Sequence, residues 1–232
     1  MHLVTTRIRN IVKANTTYGV RRVARLLWHE LQLQRRHFAS RRRARALSAL
    51  GALKLHLGCG SSFKPGWVNV DLFENCDLQL DLREDFPFPD DSVTMIYNEH
   101  FFEHLEYPSE AKKFLGECRR VLIPGGVLSL VVPDAEWPLI SYANGNDEYF
   151  RIERERGLNP VWTETRMHIV NYLFRQYGEH KYAYDFETLK CVLANAGFIS
   201  IMRREFDPEL DSKKMEYVGS IYVLARKPNR QI

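Results

Sequence analysis

Three kinds of residue in this chain could do chemistry together: glycines that bare the backbone, an acid that can hold a diol, and histidines that can take a proton. Gly58-Cys59-Gly60 follows the apolar run Leu53 to Leu57. Glycine at both turn positions lets a ligand lie against backbone N–H groups with no Cβ in the way. Asp71 closes the next apolar run, Trp67 to Val70, where its carboxylate can accept two hydrogen bonds from a ribose diol. Cys59 fits the turn as a small side chain, and packing is preferred over a nucleophilic role. His100 and His180 are the candidate general bases, because imidazole titrates nearest neutral pH. Glu99 and Glu103 stand ready to orient a histidine, while His104 reads as structural.

Such groups need strand ends to hold them. Apolar runs predict strands at 53–57, 67–70, 93–97, 127–132, 198–204 and 219–226, with a short one at 78–80. Helical composition marks 109–122, which Pro124-Gly125-Gly126 should stop, and 186–195, with Asp185 as N-cap and Gly197 beyond its end. Strand and helix alternate, which predicts an α/β fold with a mostly parallel sheet and helices on both faces. Only ten residues separate Gly60 from Asp71, so the first crossover helix must shrink to a turn near Ser61 to Phe63. That spacing argues against a dinucleotide dehydrogenase, whose fingerprint needs a third glycine inside a full helix.

From Leu57-Gly58-Cys59-Gly60 through Asn69-Val70-Asp71 and Glu103-His104-Leu105 to Arg120-Val121-Leu122-Ile123-Pro124-Gly125-Gly126 and Pro133-Asp134, the chain resembles the class I S-adenosylmethionine (SAM)-dependent methyltransferases. The likeness is to the small bacterial type-11-like domain with a shortened first crossover. It covers Leu53 to Asp134 clearly and Tyr182 to Lys227 more loosely. The resemblance implies a Rossmann-like sheet ending in a C-terminal antiparallel hairpin, and SAM as cofactor. It places the backbone of Leu57, Gly58, Cys59 and Gly60 under the methionine part of SAM and Asp71 on the ribose. Asp81 with Leu82 would face the adenine, Leu72 would cover its other face, and Asn98 would meet the methionine amino or carboxylate group. Asp81 as a cap, and Leu72 and Leu82 as ordinary core, are the competing readings.

A sulfonium already activates its methyl group, so alignment of a nucleophile supplies much of the acceleration, and a hydroxyl acceptor gains from a base. The acceptor should sit under a lid at 135–185, where Trp137, Tyr149, Trp162 and Tyr172 mix with Arg166, His168 and His180. The leading function is therefore methyl transfer to a small-molecule or saccharide acceptor at a hydroxyl. Nucleic-acid methylation is the second reading, although neither an N-P-P-Y nor a P-C motif is present. A noncatalytic SAM-fold binding module is the third.

Charge divides the chain. Residues 1–50 carry twelve Lys and Arg against Glu30 alone, whereas the whole chain has net charge +4. This part reads as a basic, helical N-terminal arm (1–50) preceding the methyltransferase domain (51–232). Val20, Val23, Leu26, Leu27, Leu31 and Phe38 recur among the arginines at helical spacing. A cationic amphipathic helix can lie on an anionic membrane surface, touch nucleic acid or glycan, or pack loosely as a solvated helix. Arg-rich, acid-poor N-termini also occur in organellar transit peptides. No apolar run is long enough for a signal anchor, so the expected place is cytoplasmic, with peripheral attachment to the inner membrane face. Four cysteines without a C-x-x-C, and histidines that do not cluster along the chain, suggest neither a zinc nor a disulfide framework.

Overall fold

The computed structural model describes residues 13–49, 51–73, 75–212 and 219–230. In chain order the elements are α1 (Tyr18–Ser48), β1 (Leu53–Leu57), β2 (Val68–Asp71), β3 (Leu78–Gln79), β4 (Val93–Glu99), α2 (Ser109–Val121), β5 (Leu122–Pro133), α3 (Glu136–Ala143), α4 (Glu148–Glu155), α5 (Arg166–Arg175), α6 (Phe186–Asn195), β6 (Ile199–Arg203) and β7 (Ser220–Arg226). Short 3-10 turns stand at Phe102–His104 and Gln176–Gly178.

Seven strands form one sheet in the order β3-β2-β1-β4-β5-β7-β6. The first five in that order run parallel, and β7 pairs antiparallel with both β5 and β6. One face of the central strands is apolar, with Leu55, Leu57, Val70, Ile96, Leu128, Leu130 and Val132 joining one core, while the register puts the buried His56, Asn69, Tyr97 and Ser129 on the other. The switch in strand order between β1 and β4 opens the crevice in which such sheets bind ligands.

Local chemistry explains most boundaries. Helix α2 buries Ala111, Phe114, Leu115, Cys118 and Val121, a stripe at helical spacing, each large apolar side chain contributing roughly 1.5–3 kcal/mol by leaving water. Helix α6 starts where the Asp185 carboxylate accepts the Thr188 N–H at 2.8 Å. Between β1 and β2 no helix forms, only a turn closed by Ser62 N to Cys59 O at 2.9 Å.

One expectation needs correction. Pro124-Gly125-Gly126 does not separate helix from strand: β5 begins at Leu122, directly after α2, and the triplet lies within it as an irregularity in the β4 register. Gly125 takes φ +76° there, and its N–H donates to the Lys227 carbonyl at 3.0 Å. The described part of the basic segment packs on the sheet. The second half of α1 buries Leu33, His37 and Ala44, and it covers the outer edge of β3. Ser40 Oγ accepts the Gln79 N–H at 3.1 Å, and Arg36 Nη1 donates to the Leu72 carbonyl at 3.1 Å. A two-residue edge strand leaves outward polar groups, which this helix satisfies. The first twelve residues of the basic segment lie outside the described residues. Among the described residues, no helix is long and apolar enough to cross a membrane.

At the other sheet edge, β6 is mostly exposed. Its pairing with β7 is broken between Ile199 and Met202, where Ser200 takes φ +51°.

Residues 135–185, expected to form a lid, carry three helices and have their own small core of Tyr149, Phe150, Ile169 and Val170, against which Trp137 and Phe174 pack. They are tied to the sheet where Ala135 N donates to the Tyr184 carbonyl at 2.9 Å, and where Lys181 N donates to the Glu103 carbonyl at 2.8 Å.

Candidate active site

The glycine turn and the end of β2 form one hydrogen-bonded cluster. Gly58 N and Cys59 N both donate to the Val70 carbonyl, at 2.8 and 3.2 Å. Gly60 N donates to Asp71 Oδ2 at 2.8 Å, while Asp71 Oδ1 accepts from Leu72 N at 2.6 Å and Phe73 N at 3.3 Å. A carboxylate has about four lone-pair directions, so a diol would take what remains or displace the Gly60 N–H. Gly58 and Gly60 both have positive φ, +68° and +51°. They differ in surroundings: a Cβ on Gly58 would lie 2.5 Å from the Phe101 Cβ, whereas one on Gly60 would meet nothing within 4 Å. Gly60 thus marks the open side of the turn, and Gly58 the side where Phe101 presses on the backbone. Burial, with the Asp71 charge nearby, pushes the Cys59 thiol up to about 12, which keeps it protonated and unreactive at neutral pH.

Other expected cofactor contacts are placed differently. Asn98 is fully buried; its Nδ2 donates to the Leu57 carbonyl at 2.8 Å, so it braces the turn from within the sheet. Leu57 and Leu82 are in the hydrophobic core, which for Leu82 favours the core reading. The Leu72 carbonyl is held by Arg36 Nη1. Asp81 meets the Arg83 guanidinium through Nε at 2.9 Å and Nη2 at 2.7 Å, and Arg83 continues to Glu30 of α1 at 2.8 Å. Burial alone would raise the Asp81 carboxyl, but the hydrogen bonds from Arg83 outweigh it and hold it below the usual range. Asp81 and His37 border a cleft of about 480 Å³ between α1 and residues 81–87.

Beyond β4 the backbone turns sharply. His100 takes φ +51°, a left-handed conformation that costs a non-glycine residue roughly 1–2 kcal/mol, while its N–H donates to the Val131 carbonyl at 2.9 Å. The turn sends consecutive side chains two ways: Phe101 over Gly58, and His100 into a cavity of about 280 Å³ that Glu103, His104, Tyr149, Tyr172 and His180 also line. His100 Nε2 lies 3.0 Å from Ser220 Oγ, and its Nδ1 is 3.6 Å from Glu103 Oε1. His104 Nε2 and His180 Nε2 each lie 4.0 Å from that same oxygen. Both candidate bases, distant in sequence, therefore meet at one carboxylate, and the histidines do cluster in space. Burial raises the Glu103 carboxyl to about 8 and lowers both His104 and His180.

Sequence reasoning treated Glu103 only as an orienting group and gave no part to Ser220 or Phe101. The spacing of His100, Glu103 and His104 at i, i+3 and i+4 was the one local signal for the cluster. A second buried network was not foreseen. Tyr97 Oη donates to Asp211 Oδ1 at 2.9 Å, and Arg204 grips Asp211 through Nη2 at 2.6 Å. Ser212 N donates to Glu99 Oε1 at 3.1 Å, so the segment after β6 is fastened over β4.

A protein-family model described as a methyltransferase domain matches residues 64–130. No curated protein matches the sequence. Among solved structures, the chain is similar to a SAM-dependent methyltransferase from Archaeoglobus fulgidus, at 16% identity and TM-score 0.45 over 76% of this chain and 86% of that one. It is also similar to one from Methanosarcina mazei, at 16% identity and TM-score 0.47 over 78% and 94%. A third is phosphoethanolamine N-methyltransferase 2 of Haemonchus contortus in complex with SAM, at 14% identity and TM-score 0.44 over 77% and 49%. The matched methyltransferase domain, residues 64–130, runs from just before β2 into β5 of this Rossmann-like seven-strand sheet.

Proposed function

We propose that this chain is a class I SAM-dependent methyltransferase that acts on a hydroxyl of a small molecule or saccharide, bound in the cavity that His100, Tyr149, Tyr172 and His180 line. One observation carries the reading: His100 faces the cavity while the next residue, Phe101, covers the glycine turn. Donor and acceptor sides are therefore adjacent through consecutive residues. In this reading Leu57 to Gly60, with Asn98 behind them, support the methionine part of SAM, and Asp71 holds the ribose. The open side of Gly60 admits the ligand. The aromatic walls suit a sugar or ring face, and the histidines suit a hydroxyl that must lose a proton as its oxygen attacks. His100 is the nearer choice for that base, with His180 second.

The test is methyl transfer from labelled SAM to a panel of saccharides and small hydroxyl compounds. His100→Ala should lower turnover by roughly 10²- to 10⁴-fold with SAM affinity nearly intact. A small effect removes His100 as base, and an equal loss in His180→Ala moves that role to the lid. Activity confined to nucleic acid would replace the acceptor class.

The first half of α1 supports peripheral contact with an anionic membrane. Val20, Val23, Leu27, Trp28 and Leu31 are exposed there, interleaved with Arg21, Arg22 and Arg25. Apolar side chains would enter the headgroup boundary while arginines meet lipid phosphates.

A further inference from the structure

Both carboxylate oxygens of Glu103 are buried and lack a hydrogen-bond partner, although the residue is only 2% exposed. A buried carboxylate without partners is costly, so what faces it matters. His104 Nδ1 lies 3.2 Å from the Glu179 carbonyl, and His180 Nδ1 lies 2.5 Å from the Leu173 carbonyl. A carbonyl only accepts, so each Nδ1 carries the hydrogen and each neutral ring presents a lone pair at Nε2. Both Nε2 atoms approach Glu103 Oε1, at 4.0 Å. Three electron-pair donors thus converge on one point.

This is the arrangement of a metal-binding histidine, whose second nitrogen donates to a backbone carbonyl and fixes the tautomer. The three donor atoms all lie within 4.8 Å of one another. Tetrahedral zinc, with bonds of about 2.0–2.1 Å, needs donors roughly 3.3 Å apart, which modest side-chain rotations would achieve. The backbone holds the segments in place, because Lys181 N and Tyr182 N both donate to the Glu103 carbonyl, at 2.8 and 3.3 Å. Two imidazoles and one carboxylate suit a borderline transition ion and not magnesium or calcium, which prefer oxygen donors.

We propose that Glu103, His104 and His180 form a binding site for a divalent transition metal, zinc by its donor set, with an open coordination position toward the 280 Å³ cavity. That position would accept water or an oxygen of a molecule held in the cavity. His100, 3.6 Å from Glu103 Oε1, is the nearest further donor. The site does not depend on the hydroxyl-acceptor reading, since metal binding can be measured without any substrate; a metal on His180 Nε2, with Nδ1 held at the Leu173 carbonyl, would leave the role of base to His100 alone.

The experiment titrates cobalt(II) into the full-length, untagged protein after chelator treatment, following visible absorption, and then competes with zinc. One equivalent of cobalt should bind with tetrahedral-type bands and be displaced by zinc. Glu103→Gln, His104→Ala and His180→Ala should each weaken binding by at least about 100-fold, while His29→Ala, on the exposed face of α1, should leave it unchanged. Should a buried-site variant fail to fold by circular dichroism, His104→Ala, at the cavity mouth, decides the matter. Absence of stoichiometric cobalt binding, or parental affinity in folded His104→Ala, would overturn the proposal.

Discussion

The Gly60 backbone N–H donates to Asp71 Oδ2 at 2.8 Å, so the carboxylate proposed to hold the ribose also shapes the turn proposed to pass under the methionine. Asp71→Ala should therefore weaken SAM binding by about 1–3 kcal/mol, through loss of a charged acceptor and loosening of the turn. Asp71→Asn, which keeps an oxygen for Gly60 but not the charge, should fall between. Calorimetry on folded variants measures both, and unchanged affinity in Asp71→Ala would remove this residue from the site.

Gly58 and Gly60 should respond differently to alanine. Gly58→Ala combines a left-handed backbone with a methyl group set against Phe101, and should cost about 2–4 kcal/mol in chemical denaturation. Gly60→Ala meets open space and should cost only about 1–2 kcal/mol, from backbone strain. Adding Phe101→Gly, which removes the Cβ that the new methyl group would meet, should recover part of the Gly58→Ala loss but not of the Gly60→Ala loss, a coupling that a double-mutant cycle would isolate.

Acid should destabilise the fold through His56. Burial, with the Lys64 charge nearby, lowers this imidazole from 6.5 to about 4, and its Nδ1 lies 3.3 Å from Asn69 Oδ1. The unfolded chain takes up this proton as pH falls through 6.5, and the folded chain only near 4. The unfolded state thus binds more protons in that window. The contribution is complete above pH 6.5 and is lost as pH falls toward 4, amounting to at most about 3 kcal/mol. His56→Gln should flatten the stability profile between those pH values, as urea midpoints would show; an unchanged slope would refute the assignment.

Vesicles test the first half of α1. The full-length chain should bind vesicles containing anionic lipid, less as salt rises. Val23→Glu with Trp28→Glu should abolish the binding without unfolding, because both side chains are exposed. Equal binding by parent and variant would reject membrane contact.

Much of the scaffold was legible because local signals agreed with the final packing. The span of α6 follows from its Asp185 cap and its glycine stop, and β1 follows from its apolar run. Where a local signal competed with tertiary contacts, tertiary contacts prevailed. Pro124-Gly125-Gly126 reads as a helix stop, yet pairing with β4 and β7 draws it into β5. In the candidate site, the hydrogen-bonded pairing of the glycine turn with Asp71 follows from adjacent strand ends, whereas the crowding at Gly58 lies in Phe101, far along the chain. The convergence on Glu103 was not legible, since His104 and His180 are brought together by tertiary contacts: the hydrogen bonds from the loop at 181–182 to the Glu103 carbonyl, and His104 Nδ1 at the Glu179 carbonyl.

The two borders of the sheet are finished by different means, and this bears on solution behaviour. On one side the Gln79 N–H is already engaged by Ser40 of α1, so this donor is closed to an incoming chain. On the other, the left-handed Ser200 disrupts the regular repeat of β6, although Ile199 and Met202 are about half exposed, at 48% and 52%. A bulged border templates strand addition poorly. Copies of this protein should therefore not extend one another's sheets, and removing α1 would create a sticky border prone to aggregation.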